Sequence, residues 1–533
     1  MKLSLTDLVR RWIVAPSHFV ALFAAGIWLL CLSWVRPLTL PDEGRYGGVA
    51  WEMLSGGAHA TPLLDGMPFF HKPPLYYWLA EASYGTFGAQ VWAARLPSWL
   101  AAWAVATGVY FFMLRWRGKT AAMVALLALA TQPFFLGGAQ FANLDMLVAG
   151  LIGLTTLCGG ATVLSAYAGK PYRALSLATA ILAGLGVLAK GLIGVVLPGA
   201  ILVLWIVLRR KWRGLAALLW PAAIVAFLAV ALPWYWLMQV RYPGFFNYFF
   251  VYQQFERFSA TGFNNVQPFW FYVPVIAAMT LPWVLWLGGA MRKSFWQQES
   301  SVDTAADVRW LAASWAGVVL VFFSIPSSKL VGYVLPLLPA LAVIIAEVIV
   351  AGLHRGKAER DNTTRKLTLS LVVGVLVCIL GTGVAAIKTK PNSNAVGVAA
   401  RAEVRPEDTV IALHVYPYDL PMTLRLKTSM WIVDDWTHPD VALRDNWRKE
   451  LFDAGQFDKP SMQRNLISEK ELTNRVCVSA PGTVYWIWGE PAKDSTRYAI
   501  LKGQAPRYAD GKKAMWRIVV DADTKRRLCG GQD

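Results

Sequence analysis

The chain has 533 residues, of which 56% are hydrophobic and only 16% charged, with 26 tryptophans and a formal net charge of +18. A soluble chain of this length would carry more charge, so the composition excludes an ordinary soluble enzyme and indicates a polytopic membrane protein. The positive balance does not mark a nucleic-acid binder, because the basic residues lie in short segments between apolar stretches and form no single patch.

Eleven apolar spans are predicted, at about 17–36, 91–114, 120–138, 146–166, 175–189, 191–208, 215–237, 268–290, 309–324, 331–351 and 368–387. Each approaches the ~20 residues needed to cross ~30 Å of hydrocarbon. The first lacks a small-residue cleavage pattern and reads as a retained helix. One set of alternating loops carries about twenty Lys and Arg, in Lys2, Arg10-Arg11, Arg115 to Lys119, Lys170 to Arg173, Arg209 to Arg213, Arg292-Lys293, Arg309 and Arg355 to Lys366; the other set carries about seven. That bias puts the N-terminus in the cytoplasm. An odd span count then puts the C-terminus outside. The spans form a transmembrane domain over 1–387, and 388–533 is a soluble exported α/β domain.

Within the outer segment 37–90, Leu40-Pro41-Asp42-Glu43-Gly44-Arg45-Tyr46 follows the first span directly. Two adjacent carboxylates at the bilayer edge, where charge is tolerated, are placed to act on the head group of a lipid. The alternative is that they cap a short helix over 46–54, since Asp is a good N-cap and Glu suits a first turn. Further along come His71, Lys72 and Tyr76 in FFHKPPLYYW. The segment reads as amphipathic pieces lying in the interface. The other outer-side polar residues are Asp145 after Asn143, Lys190 between two spans, Glu256-Arg257 closing the aromatic outer loop 238–267, and Lys329 and Tyr333 in SSKLVGY. Lys72 and Lys329 either bind an anion or merely snorkel; Asp145 either serves a site or caps a helix. Acids and bases gathered at one face point to one site there.

In the tail, 409–413, 431–433, 476–479, 483–488 and 515–520 have strand character, and 441–452 and 462–474 look helical. Cys477 and Cys529 are the only cysteines of this part, and an exported compartment favours their pairing. Cys31, Cys158 and Cys378 lie in apolar spans and read as small packing residues. No CxxC, Walker loop or GxGxxG between strand and helix is present, so neither metal nor nucleotide cofactor is expected. Without nucleotides outside the membrane, a group-transfer enzyme there needs a donor already activated, such as a sugar on a polyprenyl phosphate. Cations would stabilise the departing phosphate and a carboxylate would orient or deprotonate the acceptor.

LPDEGRY, FFHKPPLYYW, the NLD junction at 143–145, LAKG, PFWFYVPV with LPW, and FFS…SSKLVGYVLPLLP together resemble the bacterial aminoarabinose transferases of lipid A, within the polyprenyl-phosphate-dependent GT-C membrane glycosyltransferases that include the protein O-mannosyltransferases. The resemblance spans roughly 15–350. It implies a GT-C fold of about 11 to 13 transmembrane helices and a periplasmic α/β domain. It implies inverting transfer of a sugar, best 4-amino-4-deoxy-L-arabinose, from undecaprenyl phosphate to lipid A or another envelope acceptor at the periplasmic face of the inner membrane. Carried over by position, Asp42, Glu43 and Asp145 are the catalytic candidates. Arg45, Lys72, Lys329 and Tyr333 would bind donor or phosphate, with His71, Tyr76, Lys190, Glu256 and Arg257 in support. The loop Tyr252-Gln253-Gln254-Phe255-Glu256-Arg257-Phe258 departs from the family by lacking its His and further acids, so no metal site is implied there. A transporter of sugar-lipids is the reading from another class, disfavoured because transporters usually bind at the bilayer midplane.

Reporter fusions test the topology: positions near 212 and 360 should report inside, and positions near 60, 255 and 450 outside. An inside signal at 450 overturns the odd span count.

Overall fold

A computed structural model describes residues 17–256, 265–297, 304–388 and 392–529. Lys2, Arg10, Arg11 and Arg257 lie outside the described residues, as does the side chain of Glu256. The chain divides into two compact units, one of residues 1–35 and 95–388 and the other of 36–94 and 389–533.

The first unit is helical. Each of the eleven apolar stretches contains helix. Among the described residues seven helices are long and apolar enough to cross a membrane, and two further pairs are broken spans, Lys119–Ala130 with Pro133–Ala139 (bent by 70°) and Tyr272–Met279 with Trp283–Met291 (118°). His18–Leu30 and Ile193–Leu208 are shorter. The continuous span predicted over 268–290 is thus folded back past a right angle at 280–282. Leu144–Tyr167 is the most enclosed of the long helices together with Val331–Leu353. It packs through small residues, as membrane helices do: a Cβ on Gly150 would lie 2.8 Å from the Ala101 carbonyl oxygen. Where charge enters this unit it is paired. Glu347, 1% exposed, takes Arg117 at 2.6 Å and Arg309 at 2.9 Å. Asp307 takes Arg209 at 2.7 Å and Lys211 at 2.9 Å. All four cations come from the basic loops.

The second unit joins the outer segment to the tail. Strands β1 (Leu63–Leu64) and β2 (Met67–Pro68) form a small antiparallel hairpin. Strands β3 (Thr409–Leu413), β4 (Trp431–Val433), β5 (Leu466–Ile467), β6 (Val484–Gly489), β7 (Tyr508–Ala509) and β8 (Ala514–Val519) form one sheet in the order β5-β4-β3-β6-β8-β7. Its β5-β4-β3-β6 part is parallel and β8 and β7 are antiparallel additions. Four of the five predicted strands are present. The stretch 476–479 is instead the end of helix Glu469–Val478, started by Ser468 accepting from the Glu471 amide. Its apolar residues follow a period of four, not two: Leu472 and Val476 are in the core while Val478 is 85% exposed. The helix predicted over 462–474 is likewise interrupted by β5, and that over 441–452 is two pieces, Asp440–Leu443 and Trp447–Gly455.

Cys477 and Cys529 are bonded, with Cα atoms 5.9 Å apart and a sequence separation of 52. The bridge pins helix Ala522–Cys529 to helix Glu469–Val478. A loop of that length is worth about 4 kcal/mol by chain entropy. In protein denatured without reductant, a thiol reagent should therefore modify Cys31, Cys158 and Cys378 but neither tail cysteine, and reduction should lower the unfolding free energy of the tail domain by about that amount.

Candidate functional site

Helix Asp42–Gly56 begins four residues earlier than predicted, and its cap is Pro41, which makes no side-chain cap bond. Asp42 is therefore not an N-cap. Both acids lie in the first turn, where the helix dipole favours them, and Gly57 ends the helix in the left-handed region at φ 67°. The two carboxylates have opposite fates. Glu43 is fully buried, paired through both oxygens with Arg36, and accepts the Thr39 amide at 2.9 Å. It is occupied in fastening the turn that precedes the helix. Asp42 keeps a side chain 60% exposed, touched by Arg45 Nη2 at 3.5 Å.

Arg45 is engaged on its other side. Its Nη1 meets Glu450 Oε1 at 2.6 Å, and its guanidinium lies 5.4 Å from the Tyr418 ring centre. Tyr418 in turn donates to Glu450 Oε2 at 2.5 Å. Burial, then Glu450, push the Tyr418 phenol well above its ordinary value, so it stays a donor. His71 is buried, stacked on Phe69 at 4.5 Å, with Nε2 3.9 Å from Asp453. Lys72 is half-buried just before Pro73-Pro74, where helix Leu75–Phe87 begins. Tyr76 is buried, gives its hydroxyl to the Ala94 carbonyl at 3.0 Å and packs edge-on against Tyr46. Further along helix Asp42–Gly56, Glu52 binds the Gly66 amide and the Tyr416 hydroxyl; burial pushes its carboxyl up to about 7 despite these bonds.

The helical unit holds a second group. Asn143 caps helix Leu144–Tyr167 through the Asp145 amide, leaving the Asp145 carboxylate free of capping duty. Asp145 Oδ1 meets Lys190 Nζ at 2.6 Å, and Oδ2 accepts from Asn143 at 3.2 Å. Lys190 lies 4.5 Å from the Tyr333 ring centre. A Cβ on Gly332 would sit 2.7 Å from Asp145 Oδ2, so only glycine lets the SSKLVGY segment approach so closely. Asp145, Lys190 and Tyr333 thus converge from three separated stretches. Lys329, 3% exposed, donates to the carbonyls of Gln267 (2.9 Å) and Pro326, and its backbone amide binds the Asn265 carbonyl. Burial lowers its pKa. It latches two loops together. Among the described residues, no three His, Cys, Asp or Glu side chains are grouped to hold a metal ion.

Three participants escaped the sequence reading: Arg36, Tyr418 and Glu450. Arg36 was legible in principle, as a cation next to an acidic helix start. Glu450 is 405 residues from Arg45, and no local pattern links them.

Residues 71–236 match the family described as dolichyl-phosphate-mannose-protein mannosyltransferase. Over 354 residues the chain is 30% identical to an undecaprenyl phosphate-alpha-4-amino-4-deoxy-L-arabinose arabinosyl transferase of Aeromonas hydrophila, covering 65% of this chain and 62% of the relative. The same-named protein of Serratia proteamaculans is 30% identical over 371 residues, 68% of this chain and 65% of its own length. The match therefore spans slightly less than two thirds of these relatives. The crystal structure of ArnT from Cupriavidus metallidurans bound to undecaprenyl phosphate superposes with a TM-score of 0.74 at 21% identity, over 95% of this chain and 98% of that one. The fold is accordingly the GT-C fold of that protein, with helical spans and a C-terminal α/β domain.

The Asp145–Lys190 pair gives a stability test. Lys190→Ala strands a carboxylate that is only 14% exposed and should cost roughly 3 kcal/mol. Adding Asp145→Asn should recover most of that loss in thermal melts of detergent-solubilised protein.

Proposed function

We propose that this protein is an inverting glycosyltransferase of the bacterial inner membrane. It moves 4-amino-4-deoxy-L-arabinose from undecaprenyl phosphate to a lipid A phosphate at the periplasmic face. The observation that carries the reading is the division of labour in the first turn of helix Asp42–Gly56. Glu43 is consumed by Arg36 and Thr39, while Asp42 stays exposed beside a guanidinium that is itself held by Glu450. The names of the relatives and the undecaprenyl phosphate bound by the Cupriavidus protein supply the substrate class.

In this reading the acceptor oxygen attacks the anomeric carbon from the face opposite the lipid phosphate. The C–O bond to undecaprenyl phosphate breaks, and the phosphate leaves with the electron pair. Asp42 orients the acceptor hydroxyl and takes its proton where it carries one. Lys72 is the cation of the unit carrying Asp42 that meets phosphate oxygens; in the helical unit Asp145 and Tyr333 hold Lys190 in place, and Lys329 shapes the loop it latches. Arg45 acts beside Asp42. The match of 71–236 to the mannosyltransferase family favours, as second reading, transfer of another polyprenyl-phosphate sugar to a different envelope acceptor.

The test is mass spectrometry of lipid A and envelope glycans from a strain lacking its own transferase, with and without this protein. Lipid A heavier by one aminopentose supports the first reading, a modified glycoprotein the second, and no modified product speaks for a transporter. Asp42→Asn should reach the membrane in normal amount and lose ~10²–10⁴ in rate. Lys72→Ala should weaken donor use, a charged hydrogen bond of about 1.5–3 kcal/mol being at stake. Wild-type turnover by Asp42→Asn would remove it from the mechanism.

A further inference from the structure

Arg45 is shared between two carboxylates of very unequal setting, and the inequality has a function. Glu450 lies in the first turn of helix Trp447–Gly455, whose start is fixed by Asn446 accepting from the Arg448 and Lys449 amides. Its side chain is 8% exposed, against 60% for Asp42. Both its oxygens are committed, one to Arg45 Nη1 at 2.6 Å and the other to the Tyr418 hydroxyl at 2.5 Å. An exposed pair such as Asp42–Arg45 at 3.5 Å gains little. A desolvated pair with a hydrogen-bonded acid holds much harder. Arg45 therefore belongs to Glu450 and only leans on Asp42.

The backbone enforces this arrangement. A Cβ on Gly48 would collide with the carbonyl oxygen of Tyr418, and one on Gly44 would stand 3.3 Å from the Asp419 amide and press on Leu40. Tyr418-Asp419 thus lies directly against the first turns of the helix that carries Asp42. Trp51 donates to the Leu426 carbonyl at 2.8 Å and Asp65 accepts the Met430 amide at 2.8 Å, which extends the same contact. The tail domain thus meets the helix from Gly44 to Glu52.

We infer that Glu450, backed by Tyr418, is a positioning residue of the exported domain that keeps Arg45 from closing onto Asp42 and so keeps Asp42 free to receive the acceptor. This rests on the reading of Asp42 as the catalytic carboxylate. If Glu450 loses its charge, Arg45 turns to Asp42, the other carboxylate it pairs with among the described residues, and the base is neutralised.

The experiment is a double-mutant cycle in purified protein, with the undecaprenyl-phosphate-linked aminosugar as donor and lipid A as acceptor. Glu450→Gln should lower kcat about 10- to 100-fold with KM for the donor little changed. In an Arg45→Gln background, where no guanidinium is left to close onto Asp42, Glu450→Gln should cause no further loss. Tyr418→Phe should lower kcat about 3- to 10-fold, again only when Arg45 is present; it carries the cycle if Glu450→Gln does not fold. Wild-type kcat in Glu450→Gln overturns the inference. So does an equal loss with and without Arg45, the mark of a structural role. The underlying reading fails separately, through an inactive wild-type protein or a fully active Asp42→Asn.

Discussion

A charge taken out of water must meet its opposite or be given up, and this constraint orders the whole chain. In the helical unit Glu347 and Asp307 are buried only because each receives two cations from the basic loops. Asp145 is admitted because Lys190 comes with it. In the other unit Glu43 is enclosed with Arg36, and Glu450 with Arg45 and Tyr418. Asp42 stands out against that pattern: its neighbour Arg45 is claimed elsewhere, and it faces solvent. An acid free to react is one that the rest of the packing has left without a full-time partner.

The unit that carries Asp42 shows how such an acid is held in place without being used up. Helix Asp42–Gly56 is too polar and too rich in glycine to be stable by propensity alone. Glycine is costly in a helix interior, yet Gly44 and Gly48 are the positions at which the backbone of Tyr418-Asp419 comes against it. The cost in helix propensity is offset by tertiary contact. The tail domain, built on its six-stranded sheet and with helices Glu469–Val478 and Ala522–Cys529 tied by the Cys477–Cys529 bridge, supplies the support for that contact.

The sequence by itself determined the class of the fold. Long apolar stretches can satisfy their backbone in a bilayer only as helices, so their helical character was visible without any knowledge of their neighbours, although among the described residues only seven helices, or nine with each bent pair taken as one span, are long and apolar enough to cross. The strands β3, β4, β6 and β8 were legible for a related reason, since β-branched and aromatic runs bounded by turn residues carry their own signal. Two broken spans were invisible, because hydropathy averages over a bend and the 118° turn at 280–282 changes direction without changing composition. The stretch 476–479 misled because three apolar letters in a row do not reveal a period; the preceding Ser468 cap and the burial of Leu472 and Val476 decided for helix.

The candidate site divides the same way. Residue types near span ends marked Asp42, Arg45, Lys72, Asp145, Lys190 and Tyr333, since charge at the bilayer edge is rare enough to be noticed. Which of two adjacent acids is spent and which is free was decided only by tertiary structure, because the answer depends on Arg36 reaching Glu43 and on Glu450 reaching Arg45 from 405 residues away. Lys190 and Tyr333 were separate letters until three helices brought them to Asp145. Sequence shows what a side chain can do; the partners it meets on folding determine whether it remains free to do it.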